Sequence, residues 1–327
     1  MKFFKIYNKS IKKQNKKNKK KQNKRNLQTR KKLQGGEASP VIKKLNCHPK
    51  VHGKTVHNNS CFTPKALLQI KNSYNQSHPN NKIISSQPVK IWDELNNKMK
   101  YCQKEDCWLQ EVKDEGIKNQ LQQQFSPNHP KDWLKNPNEW LSNDDILAVL
   151  KQYQETYSYF KFIGPSMIDY DVILPEENNN CVENELCNFN LSNTIRDGKT
   201  KIGIIFNLDK HTKTGSHWVS LFIDIKDKLI FYFDSVGNDI PPYINKFKEE
   251  VVKQGKQLKK PIHFDFEINK TEHQEGNTEC GMYSLFFIVT MLTGEKEIGK
   301  KLEFFQSGKI EDKYVEKYRK IYFNSPS

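Results

Sequence analysis

Three short apolar runs stand out along the chain: Ile202-Gly203-Ile204-Ile205-Phe206, Trp218-Val219-Ser220-Leu221-Phe222-Ile223 and Leu229-Ile230-Phe231-Tyr232-Phe233. Each is rich in β-branched and aromatic residues and bounded by polar turns, which predicts strands. Asp227-Lys228 predicts a turn that folds the last two into a hairpin. Ile262 to Ile268 alternates apolar and polar and predicts a strand with one buried face. Gly281 to Leu292 is apolar almost all round, the pattern of a helix buried on every side. Pro241-Pro242 opens a helix that reaches about Lys253, and Lys313 to Phe323 reads as a closing amphipathic helix. Upstream, Ser142 can cap a helix, Asp145 can complete a capping box, and Leu141 can staple onto Ile146. Apolar positions 146, 147, 149, 150, 153, 157 and 160 carry that helix to about Phe160. Thr63 and Pro64 start a helix through Ile70, and Ile91 to Met99 forms another. The expectation is an α+β protein, with a mixed central sheet flanked by helices. A small helical accessory domain spans 41–110, a Gln-, Lys- and Pro-rich connector 111–131, and the main domain 132–327.

Charge changes the picture at one end only. The chain has 327 residues and a net charge of +16, but residues 1–32 hold fifteen Lys or Arg and no acid. The remainder has 39 basic and 38 acidic residues, close to neutral. Residues 1–40 therefore read as a disordered basic tail that would attract nucleic acid by counterion release. No signal peptide is evident. The run Leu285 to Val289 falls far short of the roughly 20 residues that span a bilayer, so no membrane span is expected. Seven cysteines, an odd number, predict free thiols in a reducing compartment. Cys47, His48, His52, His57 and Cys61 lie within fifteen residues, but their spacing matches no familiar zinc finger, and no metal is assigned. Cys102 and Cys107 read as small core residues, and Cys181 and Cys187 sit in an Asn-rich insertion.

The candidate chemistry begins at Cys280, between the polar loop Glu275 to Glu279 and the start of the buried helix. A thiol there feels the positive end of a helix dipole, which favours the reactive thiolate, and Gly281 leaves room for substrate. Alone, Cys280 would be an ordinary buried cysteine. His217 opens the strand at Trp218 and has the residue type for a base near neutral pH. The next strand ends at Asp234-Ser235. In a hairpin the start of the first strand lies beside the end of the second, so Asp234 falls near His217, where it can orient the imidazole. Gln274, six residues before Cys280, can donate its amide to an oxyanion together with the backbone N–H of Cys280. Each residue alone has a bland reading as a turn, edge or loop residue; the combination is specific.

That combination of His-Trp, Asp-Ser and Gln six before Cys-Gly resembles the ubiquitin-like-protein-specific proteases, which share a fold with adenovirus protease. The resemblance covers roughly residues 132–323. Trp140-Leu141 is similar to the Trp-Leu that opens the domain in that family. There two tryptophans roof a tunnel over a Gly-Gly substrate end; by position they are Trp140 and Trp218 here, with Asn143 as a further substrate contact. Trp140 to Ile146, Phe162-Ile163-Gly164-Pro165 and Ile168-Asp169-Tyr170-Asp171 resemble the branch found in large nucleocytoplasmic DNA viruses. The segment Cys61 to Trp108 is similar to the extra amino-terminal domain of that branch. In the deconjugating enzymes Asn-Asp follows Trp-Leu closely, whereas Ser142 intervenes here. Some viral relatives use Asn as the third catalytic group, where this chain has Asp234.

The resemblance implies a cysteine endopeptidase that cleaves after Gly-Gly in viral structural polyproteins during virion maturation. It would act in the virion and host cytoplasm without a cofactor. Cys280 would be the nucleophile, His217 the acid and base, Asp234 the orienter and Gln274 the oxyanion donor. One alternative is a deconjugating protease acting on a ubiquitin-like protein. Another is a nucleic-acid-binding virion protein that works through its basic tail. Leu33-Gln34-Gly35-Gly36-Glu37 reads as a flexible linker, although an enzyme cutting after Gly-Gly could also cut itself there.

Overall fold

The computed structural model describes residues 42–294 and 297–325. The basic tail and the Gly35-Gly36 pair lie outside these residues. The described residues form one compact unit.

The scaffold of this unit is a mixed five-stranded sheet. Its strands, β1 (Phe160–Met167), β2 (Lys201–Asn207), β3 (Trp218–Asp224), β4 (Leu229–Phe233) and β5 (Asp265–Ile268), lie side by side in chain order. The central pairs β2/β3 and β3/β4 are antiparallel; the outer pairs β1/β2 and β4/β5 are parallel. Alternation along the strands divides the core. Ile205, Phe222, Phe231 and Phe233 face α4 (Asn143–Thr156) and the buried helix α6 (Cys280–Thr293). Ile204, Leu221, Ile230 and Tyr232 face α5 (Pro242–Gln257) through Ile244, Phe247 and Val251. Both faces being covered, every residue of β3 is buried, which explains its nearly continuous apolar run. Helix α6 comes so close to β2 that a Cβ on Gly203 would sit 2.9 Å from Ile288 Cγ2.

A separate apolar cluster fills the amino-terminal region. Helices α1 (Pro64–Ser77) and α2 (Pro88–Lys98) pack around Trp108 and Phe62. Thr63 caps α1, its hydroxyl accepting from Ala66 N. Buried Glu105 accepts from Cys61 N (2.8 Å) and Trp92 Nε1.

Several expectations need correction. The segment 111–131 is no plain connector. It contains α3 (Glu115–Gln122), and Leu121 and Phe125 belong to the amino-terminal cluster. Helix α4 has the expected Ser142–Asp145 capping box but ends at Thr156, and Phe160 instead begins β1. The periodicity ran on because Phe160 and Phe162 face the same core layer as α4. The closing helix is two short helices, α8 (Asp312–Glu316) and α9 (Arg319–Tyr322), preceded by an unforeseen α7 (Ile298–Gln306). Six of the seven cysteines are paired, Cys47 with Cys61, Cys102 with Cys107 and Cys181 with Cys187, so the expectation of free thiols holds only for Cys280. The first pairing also removes Cys47 and Cys61 as zinc ligands. None of the described helices is long and apolar enough to cross a membrane.

Candidate active site

The hairpin β3–β4 pairs Ser220 with Phe233, which brings the residues just outside the strands together. His217 Nε2–H donates to Asp234 Oδ1 at 2.7 Å. The Asp234 carboxylate is fully buried and accepts a second bond from Val236 N at 3.0 Å. With Nε2 committed to Asp234, Nδ1 is the ring nitrogen left to exchange a proton with Cys280. Burial lowers the pKa of His217. The hydrogen bond to Asp234, the interaction with Cys280 and the charge of both outweigh burial and push it up to about 9. The imidazole is therefore held as imidazolium beside the sulfur at neutral pH. Cys280 is the first residue of α6 and is nearly buried.

Asp234 is itself held by a residue that sequence reasoning passed over. Asn269, fully buried just beyond β5, accepts from Asp234 N and donates to Asp234 O, each at 2.9 Å. Its amide also donates to Thr271 O at 3.0 Å. The next residue, Ser235, holds the other side of the site. Its hydroxyl donates to Gln274 Oε1 at 2.7 Å, and its carbonyl accepts from His273 N and Gln274 N. Gln274 Nε2 donates to Gly276 O at 2.8 Å, which fixes the amide's orientation and leaves one N–H uncommitted in that contact. The step Asp234-Ser235 thus sets both the histidine and the glutamine.

Two further anchors hold the loop before Cys280. Asp312 accepts from Gly276 N (2.8 Å) and from the Tyr283 hydroxyl (2.9 Å). Arg319, buried and stacked 4.4 Å above Trp133, donates to Glu139 O (2.9 Å), Asn138 O (3.3 Å) and Thr278 O (3.4 Å). Sequence reading missed Arg319, because its partners are backbone carbonyls about 40 and 180 residues away.

The two tryptophans differ. Trp140 is 38% exposed; Trp218 is buried, and its Nε1 donates to Leu141 O at 3.1 Å. Gly281 does not open space for substrate. A Cβ there would meet Leu141 at 3.1 Å and Trp218 at 3.3 Å, so glycine lets α6 pack directly under this pair. Asn143 is exposed in the first turn of α4.

Residues 185–325 match the family model of the Ulp1 protease family, C-terminal catalytic domain. The chain is 28% identical over 306 residues to a putative thiol protease of Acanthamoeba polyphaga mimivirus, covering 86% of this chain and 94% of that protein. It is 27% identical over 185 residues to a SUMO-1 cysteine protease of African swine fever virus, covering 55% of this chain and 66% of that protein. The crystal structure of an African swine fever virus protease shares the fold, with a TM-score of 0.59 at 20% identity over 88% of this chain and 98% of that one.

Proposed function

We propose a specific task for this chain, which carries a Ulp1-family catalytic domain and is a cysteine peptidase: it cuts after Gly-Gly in structural polyproteins during virion maturation. The observation that carries the reading is the His217–Asp234 bond of 2.7 Å beside a thiol at a helix start. In this reading the Cys280 thiolate attacks the carbonyl carbon of the second glycine. The carbonyl oxygen takes the negative charge and is met by the Cys280 N–H and the Gln274 amide. His217 gives its proton to the leaving nitrogen as the C–N bond breaks, which leaves a thioester on Cys280. A water then attacks the thioester while His217 takes its proton, and the C–S bond breaks. Exposed Trp140, together with exposed Asn143, would wall the substrate channel and favour residues without side chains. Relatives in two large nucleocytoplasmic DNA viruses support a role in virus particles.

A second reading, removal of a ubiquitin-like modifier, is favoured by the name of the African swine fever virus relative, a SUMO-1 cysteine protease. A panel separates the two. Wild-type protein and Cys280→Ala are assayed on Gly-Gly-X peptides from virion polyproteins and on modifier–reporter fusions. The proposal expects efficient peptide and polyprotein cleavage that is lost in Cys280→Ala. Cleavage of the fusion alone assigns deconjugation. Undiminished turnover by Cys280→Ala removes the peptidase mechanism.

A further inference from the structure

We propose that the groove between residues 43–46 and the closing helices α8 and α9 binds the phosphate backbone of duplex nucleic acid without reading its sequence. The groove encloses about 800 Å³. Lys43 and Lys44 line one wall; Lys313, Lys317 and Lys320 line the other. All five are exposed, and none takes part in an ion pair among the described residues. Glu316 is the only carboxylate side chain in the lining. Elsewhere on the protein Lys246 and Lys309, for example, are matched with Asp171 and Glu275. A concave wall of one sign concentrates the field and draws in polyanions.

The lining favours phosphate over an acidic polypeptide. Arg319, the one guanidinium in the groove, is buried and turns both terminal nitrogens to the Asn138, Glu139 and Thr278 carbonyls, so it presents no exposed fork for bidentate capture of a carboxylate. What is left is a set of flexible point charges, suited to a repeating phosphate row. Trp133 and Phe323 are buried and the half-buried His129 ring is stacked on Trp133 at 5.5 Å, which leaves little aromatic surface on which unpaired bases could stack. Binding would then rest on backbone contacts, which position a protein without specifying sequence. The chain that runs into Lys43 carries fifteen cations in its first 32 residues, a composition that attracts the same class of partner. None of this depends on the peptidase reading.

The test is a salt titration of full-length protein binding to a fluorescent mixed-sequence DNA duplex. Each phosphate contact contributes about 0.9 to the slope of log affinity against log salt. Lys313→Gln/Lys317→Gln/Lys320→Gln should flatten the slope by about 3, and Lys43→Gln/Lys44→Gln by about 2. A control at exposed lysines elsewhere, Lys256→Gln/Lys259→Gln/Lys260→Gln, should leave it unchanged. Unchanged melting temperatures certify that each variant folds. Wild-type slopes in both groove variants, or an equal loss in the control, would overturn the proposal. So would displacement of the duplex by polyglutamate at lower concentration than by unlabelled DNA, which would assign the groove to an acidic protein.

Discussion

His217 carries two opposed influences: burial disfavours its charge, and Asp234 with Cys280 restores it, ending at a pKa of about 9. As the general acid of the proposed mechanism it works only while protonated. The pH profile of kcat/KM should therefore hold through neutral pH and fall above about pH 9. The linkage has the same sign. A raised imidazole pKa stabilises the fold fully below about 6.5, and that contribution fades as pH climbs through about 9. Asp234→Asn removes the partner charge but keeps the burial. Its alkaline limb should move down by about 1–3 pH units, with kcat reduced by about 10²-fold or more. A profile that keeps its alkaline limb in Asp234→Asn would detach Asp234 from the histidine. His217, Asp234, Gln274 and Cys280 were legible because each sits at a recognisable break between an apolar run and a polar loop. Asn269 was not, since nothing local marks it. Its importance comes from bonding a backbone 35 residues away.

Among the elements, strands β2 to β4 and helix α6 could be read directly, because complete burial forces an unbroken apolar run of characteristic length. Strand β1 was hidden by Gly164-Pro165, where its register against β2 shifts, and by a helical periodicity that ran into it. Helix α3 was hidden by a polar surface over few core residues, Leu121 foremost. Beyond the β3–β4 hairpin the order of the sheet was not legible, since parallel partners β1/β2 and β4/β5 meet only after long crossovers. Short α9 has no sequence signal strong enough to mark it as functional, yet through Arg319 it ties the loop before Trp140 to the loop before Cys280. Lysine has three donors but on one nitrogen and without a planar fork, so it cannot reproduce the two nitrogens with which Arg319 reaches carbonyls of separate loops. Arg319→Lys should keep the fold and lower peptidase kcat by roughly 10–100-fold, in line with a misplaced loop before Cys280. KM should change little. An unaltered kcat in a folded Arg319→Lys protein would show that the loop holds its position without this bridge.

At the scale of the whole chain, the amino-terminal region and the sheet-bearing part are joined by side chains that neither contributes alone. Asn46 N donates to Asn324 Oδ1 at 2.7 Å, and Asn324 Nδ2 donates back to Asn46 O at 2.9 Å. Asn46 also donates to the Lys320 and Phe323 carbonyls. Beside this clamp lies His48, 1% exposed, whose Nδ1 accepts from Lys50 N and whose Nε2 faces Glu155 of α4 at 3.3 Å. Burial and the charge of Lys50 pull its pKa down to about 4, against weaker support from Glu155. The unfolded chain takes up this proton near pH 6.5 and the folded chain only near 4. Stability linked to His48 is thus complete above 6.5 and drains away as pH falls toward 4, by up to about 3 kcal/mol. His48→Gln cannot take up that proton. In urea unfolding at several pH values, the wild-type advantage over His48→Gln should shrink steadily from pH 7 to pH 4. Limited proteolysis should place the acid-induced opening between residues 42 and 60. A gap between the two proteins that stays constant over this range would mean that His48 is not the joint through which acid separates the two regions.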